Sequence, residues 1–119
     1  LPCGVSSVNA SLAFSGGHGE ASTLGGEGNS HIQVLRLDDC LPNARVGYLK
    51  LDVEGHEMEA LAGAEALIRR NRPILAIAGY HRRDDLWRIP AWISSLNLDY
   101  RLRFRIHAHN SFDAVFYAY

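Results

Sequence analysis

We predict a mixed α/β fold for this chain, with two strand-helix units followed by an antiparallel hairpin. Two short apolar runs, residues 46–53 (VGYLKLDV) and 74–78 (ILAIA), are typical of strands buried between helices in a parallel sheet. Each run is followed by residues with helical spacing, and residues 100–107 then alternate strictly between apolar and basic side chains.

The first 36 residues form a variable, glycine-rich segment in which we expect only short strands. Six glycines fall within residues 16–28, so we predict a surface loop there, with no helix and no interior strand. Leu12 and Phe14 fit a short strand before this loop. Ile32 and Val34 alternate with polar neighbours after it, which indicates a strand with one solvated face. Residues 38–43 (DDCLPN) then fit a turn or a short helical loop.

The first predicted helix follows the 46–53 strand and ends before Pro73. Apolar side chains recur at helical spacing from Met58 to Ile68, with acids in the first turn and arginines in the last. A second helix is expected to begin at Pro90, because proline is well suited to the first helical position. Its inward face would carry Ile89, Trp92, Ile93 and Leu96.

The end of the chain fits a hairpin. Its first strand is expected to bury the side chains of Tyr100, Leu102, Phe104 and Ile106 and to leave the intervening arginines in solvent. Asn110 and Ser111 mark the bend into a last strand at residues 114–119.

The composition excludes several classes of protein. The chain has 119 residues, a formal net charge of -1 and 47% hydrophobic residues, which fits one soluble domain rather than a disordered chain. No apolar run is long enough to span a bilayer, and the balanced charge gives no reason to expect nucleic-acid binding. Cys3 and Cys40 are too few for a disulfide scaffold, so we expect free thiols and a cytoplasmic location.

Titratable side chains follow the two apolar strands. Asp52 and Glu54 follow the first strand, and His81 follows the second. Ligands gather at the carboxyl ends of parallel strands, so we expect these groups to share a crevice and to act there as general base and acid. Asp52 is the strongest candidate, because an acid that ends a buried strand is costly unless it bonds something. Glu54 could instead only cap the next helix, and we interpret His56 and Glu57 as solvated.

The segment LKLDVEGHEMEALAGA (residues 49–64) resembles the FkbM-type methyltransferase domain. The LDD of residues 37–39 precedes it, RPILAIAGYHRRDDLW (residues 72–87) follows it at a matching interval, and the tyrosine-rich hairpin extends the resemblance to the end of the chain. Residues 37–119 therefore look like the C-terminal half of this domain, whereas residues 1–36 resemble its variable part only weakly.

The resemblance implies a partial Rossmann-like sheet, as in class I methyltransferases, which transfer a methyl group from S-adenosylmethionine to a nucleophile, usually a hydroxyl oxygen. It implies that Asp52 faces the cofactor's methyl group and the acceptor, and that Glu54 and His81 line the same mouth. Val5 and Ser6 would lie near the adenine. Family members act on sugars, lipids and secondary metabolites, so the expected acceptor is a hydroxyl of a small molecule or a glycan.

The family's first strand and its glycine-rich cofactor turn are not found in these residues, since GGHGE and GGEG follow no credible strand. We therefore expect a fragment that does not methylate an acceptor by itself. The strand that runs from Val46 through Leu51 would then be an unpaired sheet edge. We expect either a homo-oligomer through this edge or coverage of it by residues 1–36.

Two other functions stay open on the sequence alone. The chain could be a non-catalytic half-Rossmann module for binding or dimerisation. It could also be a small metal-dependent hydrolase that uses Asp52, Glu54, His81 and His107. No HExxH or comparable spacing supports the hydrolase, so we assign no metal ligands from the sequence.

Overall fold

The computed structural model describes residues 3–16, 22–24, 30–109 and 113–119. These residues form two four-stranded sheets and four helices. The first sheet contains β1 (Gly4–Val5), β2 (Ala10–Gly16), β3 (Ser22–Leu24) and β4 (Ser30–Leu35). The second contains β5 (Tyr48–Leu51), β6 (Ile74–Ala78), β7 (Leu102–Ile106) and β8 (Ala114–Ala118). The helices are α1 (Leu37–Cys40), α2 (Glu57–Ala62), α3 (Glu65–Asn71) and α4 (Asp85–Ser95).

The first sheet has the strand order β1-β4-β2-β3. Strand β4 shows the expected alternation, with Val34 buried and its neighbour Gln33 exposed. The predicted strand around Leu12 is confirmed and is longer than expected. Our prediction of a loop throughout residues 16–28 was wrong at β3, which pairs antiparallel with β2. Strand β3 is an edge strand, which needs only one neighbour and can therefore be short. Residues 17–21 and 25–29 of the predicted loop lie outside the described residues.

The second sheet has the order β5-β6-β8-β7. Strands β5 and β6 are parallel, with Leu49 opposite Leu75, and helices α2 and α3 connect them. Strand β8 lies antiparallel between β6 and β7. This arrangement confirms the two strand-helix units and the terminal hairpin, while the predicted bend at Asn110 and Ser111 lies outside the described residues.

The core lies between the helices and one face of the second sheet. Buried side chains from α2, α3 and α4 form a single apolar cluster with those of β6 and β8, among them Leu61, Ile68, Ile89, Ile93, Leu75, Ile77 and Phe116. Removing this apolar surface from water is the main contribution to the stability of the second sheet. None of the helices in the described parts of the chain is both long enough and apolar enough to cross a membrane.

Both edge strands of this sheet are more exposed than the sequence predicts. On β5, Leu51 is buried but Tyr48 is 55% exposed. Among the described residues this strand has a neighbour on one side only, and Tyr48 lies on the face opposite the helices. On β7, Phe104 and Ile106 are about half exposed, although we predicted a buried apolar face. Strand β7 is the other edge of the sheet, so its apolar side chains extend beyond the core.

The single helix predicted between Met58 and Ile68 is two helices, α2 and α3, separated by a turn at Gly63 and Ala64. A Cβ atom on Gly63 would overlap the carbonyl oxygen of Ser6, so glycine allows the first sheet to pack against this turn. The new helix begins where the Asp38 carboxylate accepts hydrogen bonds from two of its backbone N–H groups, those of Ala66 and Leu67.

Helix α4 begins at Asp85 and not at Pro90, which lies inside the helix. The start is stabilised by the Asp85 carboxylate, which accepts a hydrogen bond of 2.9 Å from the backbone N–H of Arg82. Pro90 has no N–H to donate to the carbonyl of Leu86, so the helix lacks that one hydrogen bond. Leu86 itself is half exposed. Ile89, Ile93 and Leu96 are buried as predicted, and Trp92 is partly buried.

Candidate active site

The predicted residues Asp52, Glu54 and His81 lie together at the carboxyl ends of the parallel strands β5 and β6. Asp52 directly follows β5 and His81 follows β6 after two residues. Between them the chain turns at Glu54 and Gly55, whose φ angles are 51° and 88°. Glycine is suited to this left-handed conformation, and the buried Gly55 packs closely against the Arg82 side chain. The turn brings the carboxylate of Glu54 back beside His81.

The imidazole of His81 connects three carboxylates. Its Nδ1 lies 2.8 Å from Oε1 of Glu57, within hydrogen-bond distance. Its Nε2 lies 3.4 Å from Oε2 of Glu54 and 3.7 Å from Oδ1 of Asp52. The His81 side chain is only 9% exposed, so the imidazole is held in a largely desolvated position at the end of the sheet.

Asp52 is held as a carboxylate by two donors. Burial by itself would raise its pKa, but hydrogen bonds from the Lys50 ammonium at 3.0 Å and the Tyr80 hydroxyl at 3.1 Å outweigh this and lower the pKa below its ordinary value. Burial and the bond to Asp52 raise the pKa of Tyr80 to about 12. Asp52 is therefore ionised at neutral pH, and Tyr80 stays a hydrogen-bond donor.

Glu57 is a site residue that the sequence analysis missed. We interpreted it as solvated, but its side chain is completely buried. Its Oε1 also accepts a hydrogen bond of 2.9 Å from the backbone N–H of Val53, which folds the carboxylate under the turn. The one signal in the sequence is the position of Glu57 four residues after Val53 at the start of a helix, a place where carboxylates commonly accept backbone donors. His56, which we also interpreted as solvated, is partly buried.

The structure does not bring the other predicted residues into this cluster. Val5 belongs to the first sheet, and Ser6 directly follows strand β1, where its backbone N–H bonds the carbonyl of Leu35. No hydrogen bond or ion pair among the described residues joins Val5 or Ser6 to Asp52. His107, which the hydrolase hypothesis needs, is exposed and lies 2.9 Å from the hydroxyl of Tyr117 on the hairpin.

A cleft of about 340 Å³ opens next to His81. Its walls are mixed, with apolar side chains from α4 and β7 facing arginines from the segment before α4. The lining residues include Tyr80, His81, Arg82, Arg83, Leu86, Phe104 and Ile106. An organic molecule bound in this cleft would therefore have its polar groups next to an imidazole and its apolar parts on the exposed side chains of β7 and α4.

A second buried carboxylate, Asp85, lies close enough to Glu57 for their charges to interact. Asp85 is 1% exposed, and burial raises its pKa above the ordinary value; the negative charges of Glu57 and Asp84 add to the rise. The hydrogen bond from the backbone N–H of Arg82 opposes this shift. Two buried acids therefore hold the loop after β6. Glu57 lies within hydrogen-bond distance of His81, and Asp85 accepts the backbone N–H of Arg82.

Comparison with known proteins gives the family. The family model described as the methyltransferase FkbM domain matches residues 4–107. The crystal structure of methyltransferase FkbM from Methylobacillus flagellatus KT, at 2.20 Å resolution, is 36% identical in sequence and superposes with a TM-score of 0.70. The match covers 75% of this chain and 24% of the other, so the chain spans about a quarter of that protein's length. No curated protein matches the chain significantly. The resemblance to this family is thereby confirmed, and the chain belongs to the FkbM methyltransferase family.

Proposed function

We propose that this chain forms the catalytic and acceptor side of an S-adenosylmethionine-dependent O-methyltransferase site. The family suggests methyl transfer. The observation that carries the proposal is the cluster of Asp52, Glu54 and His81, in which the imidazole of His81 lines a cleft and lies beside both carboxylates. The acidic strand ends suit a positively charged sulfonium, and Asp52 is ionised at neutral pH.

The chemistry of these residues fits removal of a hydroxyl proton. When bound, S-adenosylmethionine supplies an electrophilic methyl group. Glu57 accepts the Nδ1–H of His81, so in the neutral imidazole Nε2 carries the free lone pair and faces the cluster. Nε2 can then accept the acceptor's proton, with Asp52 and Glu54 stabilising the imidazolium that forms.

The acceptor we propose is a hydroxyl group of a small molecule or a glycan. Its ring or chain would pack on Leu86, Phe104 and Ile106, and any anionic substituent would lie near Arg82 and Arg83. Aromatic and aliphatic side chains that are half exposed at a cleft are common at ligand sites. The cleft thus favours an acceptor with both apolar and anionic groups.

The second sheet supports a Rossmann-like arrangement for this part of the fold. Parallel strands joined by helices, followed by a hairpin whose last strand inserts next to β6, match the arrangement that the resemblance implies. The glycine-rich cofactor turn has no counterpart in the sequence of this chain. We propose that the chain alone binds the cofactor weakly, with Val5 and Ser6 on the adenine side and Asp52 near the methyl group.

Nuclear magnetic resonance of the chain titrated with S-adenosylhomocysteine tests this proposal. We expect amide shifts at Asp52 and Glu54 that do not saturate at micromolar ligand, and their loss in Asp52→Asn. The matched control is Asp84→Asn, whose partly exposed carboxylate bonds Arg88 on α4. Absence of shifts at the strand ends at millimolar ligand would overturn the proposed site. Saturation at micromolar ligand would overturn the view that the cofactor side is incomplete.

A non-catalytic dimerisation module is the second candidate, and one observation favours it. Strand β5 pairs only with β6 among the described residues, so no strand from residues 1–36 covers its outer edge there. An unpaired edge with an exposed Tyr48 is a template for a second chain. We propose that a homo-oligomer forms through this edge, and that neither nucleic acid nor membrane is a partner.

A further inference from the structure

Among the described residues, the edge strand β7 has a strand neighbour on one side only, which is β8. At one end of the hairpin, the N–H of Arg101 bonds the carbonyl of Tyr119 at 2.7 Å, and the N–H of Tyr119 bonds the carbonyl of Arg101 at 3.2 Å. At the other end, the N–H of His107 bonds the carbonyl of Asp113. Every second residue of an antiparallel strand bonds the same neighbour, so the residues in between point their N–H and C=O groups toward the outer edge. These residues are Leu102, Phe104 and Ile106.

The side chains of β7 are divided between the two faces of the sheet and are exposed on both. Phe104 and Ile106, on the face that carries the helices, are about half exposed. Arg103 and Arg105 lie exposed on the other face, and neither forms an ion pair with a described residue. Arg103 donates a hydrogen bond of 3.3 Å to the outward carbonyl of its neighbour Leu102. The edge therefore combines outward backbone groups, positive charge on one face and apolar surface on the other.

A peptide strand added at this edge would match all three features. Its backbone would bond the outward groups of β7, as extended peptides do at exposed sheet edges. In antiparallel addition, the residues opposite Arg103 and Arg105 would form non-hydrogen-bonded pairs, in which side chains lie closest together. Acidic side chains at these positions would therefore pair with the guanidinium groups. The residues between them would lie beside Phe104 and Ile106 and are expected to be apolar.

Charge opposes a second copy of this chain as the added strand. A second β7 would place arginines against arginines, and like charges directly opposite each other destabilise strand pairing. Strand β5 carries Lys50 in the same cross-strand row as Arg103, so a second copy that presented β5 would also bring positive charge to the arginine face. The charges on this edge therefore favour an acidic strand from another protein.

We propose that the outer edge of β7 binds an extended segment of a partner protein in which acidic and apolar residues alternate. The segment lengthens the second sheet by one strand, and its acidic side chains bind Arg103 and Arg105. The proposal is independent of methyl transfer. The methyl acceptor would pack on the side chains of Phe104 and Ile106, whereas the partner segment bonds the backbone of these residues.

Amide hydrogen exchange of the chain, with and without a blocked synthetic heptapeptide of alternating glutamate and valine (EVEVEVE), tests the proposal. Without peptide, we expect fast exchange at the outward amides of Phe104 and Ile106 and slow exchange at Arg103, which bonds β8. Millimolar peptide is expected to slow the exchange of the two outward amides. The same peptide with N-methylated valines lacks the N–H groups that face β7, so it is expected to give no protection.

Reversal of charge tests the role of the arginines. The double variant Arg103→Glu with Arg105→Glu is expected to bind EVEVEVE about tenfold or more weakly and to bind the lysine peptide KVKVKVK instead. Binding of the lysine peptide also shows that the variant is folded. Arg45→Glu is the matched control, because this exposed arginine precedes β5 at the opposite edge of the sheet. It is expected to bind both peptides as the wild-type chain does.

Several outcomes would overturn the proposal. They are unchanged exchange at Phe104 with millimolar EVEVEVE, equal affinity of the wild-type chain for the two peptides, and wild-type affinity for EVEVEVE in the double variant. Protection by the N-methylated peptide would exclude strand addition. Slow exchange at Phe104 without peptide would show that the edge is already covered, and an increase of this protection with chain concentration would assign the edge to a second copy.

Discussion

Nδ1 of His81 lies 2.8 Å from Oε1 of Glu57, a residue 24 positions earlier whose side chain is completely buried. This contact joins the loop after β6 to the start of α2. It also determines which nitrogen of the imidazole faces Asp52 and Glu54. The geometry of the candidate site therefore depends on a carboxylate that does not itself face the cleft.

Replacement of Glu57 tests this dependence through stability. Glu57→Ala leaves the Val53 N–H and the His81 ring without their acceptor, so the free energy of unfolding is expected to fall by about 3 kcal/mol. Glu57→Gln keeps an oxygen acceptor and is expected to lose less than half as much. Urea denaturation followed by circular dichroism measures both. If Glu57→Ala lowers the free energy of unfolding no more than the surface variant Glu65→Ala does, Glu57 is not a stabilising buried acceptor for Val53 and His81.

Asp38 is predicted to stabilise α3 although it lies in a different helix. Its carboxylate accepts the backbone N–H groups of Ala66 and Leu67, so Asp38→Ala is expected to lower the free energy of unfolding by about 1–2 kcal/mol. Asp39→Ala is the matched control, because that exposed carboxylate bonds Asn9 at the surface. Equal melting temperatures for the two variants would contradict the capping role.

Gly63 is predicted to tolerate no side chain. Gly63→Ala forces the Ser6 carbonyl away from the turn between α2 and α3, and we expect a loss of about 1–3 kcal/mol. Gly47→Ala is the control, since a Cβ there meets no atom within 4 Å. It is expected to be neutral or slightly stabilising, because alanine reduces the entropy of the unfolded chain. Thermal unfolding compares the two, and a Gly63→Ala variant as stable as Gly47→Ala would show that the close packing is absent.

The raised pKa of Asp85 predicts a pH dependence of stability. A carboxyl whose pKa is higher in the folded state favours folding in its protonated form. Its contribution is fully present below the ordinary value of 3.8 and is lost as the pH rises through the folded-state pKa. Asp85→Asn cannot ionise and keeps an oxygen for the Arg82 N–H. Relative to this variant, the wild-type chain is therefore expected to lose stability as the pH rises.

Urea denaturation at acidic and neutral pH measures this difference, and Asp84→Asn provides a control of opposite sign. The hydrogen bond from Arg88 lowers the pKa of Asp84, so its contribution is present above the ordinary carboxyl pKa and is lost as the pH falls. The wild-type chain should gain stability relative to Asp84→Asn as the pH rises. If the difference between wild type and Asp85→Asn stays constant with pH, the assignment of the Asp85 shift fails.

In the part of the chain that the structure describes, β5 has no partner on its outer edge, and this predicts association of the chain. Sedimentation velocity is expected to show a concentration-dependent dimer, and Tyr48→Lys to shift it toward monomer, because a charged side chain on an edge strand opposes pairing. Trp87→Lys is the control, since Trp87 is similarly exposed but lies on α4. A monomer at all concentrations, with rapid amide exchange at residues 46–51, would contradict the predicted interface.

The secondary structure was largely predictable because it depends on local patterns. The apolar run at Ile74–Ala78 and the alternation around Val34 identify their strands directly. The errors lie where a distant residue intervenes. The turn at Gly63 is a packing site for Ser6, and nothing in the helical periodicity around it records that contact. The position of Pro90 within α4 likewise follows from the Asp85 hydrogen bond that starts the helix earlier.

For the candidate site, the sequence by itself determined the chemical groups and their order along two strands, including Asp52, Glu54 and His81. Only the tertiary structure decided that Glu57 is buried and bonded to His81, that Val5 lies in another sheet with Ser6 directly after it, and that Nε2 faces two carboxylates. Periodicity reports which side of its own strand or helix a residue occupies. The meeting of residues from different elements depends on long-range strand pairing and burial, which a local pattern does not encode.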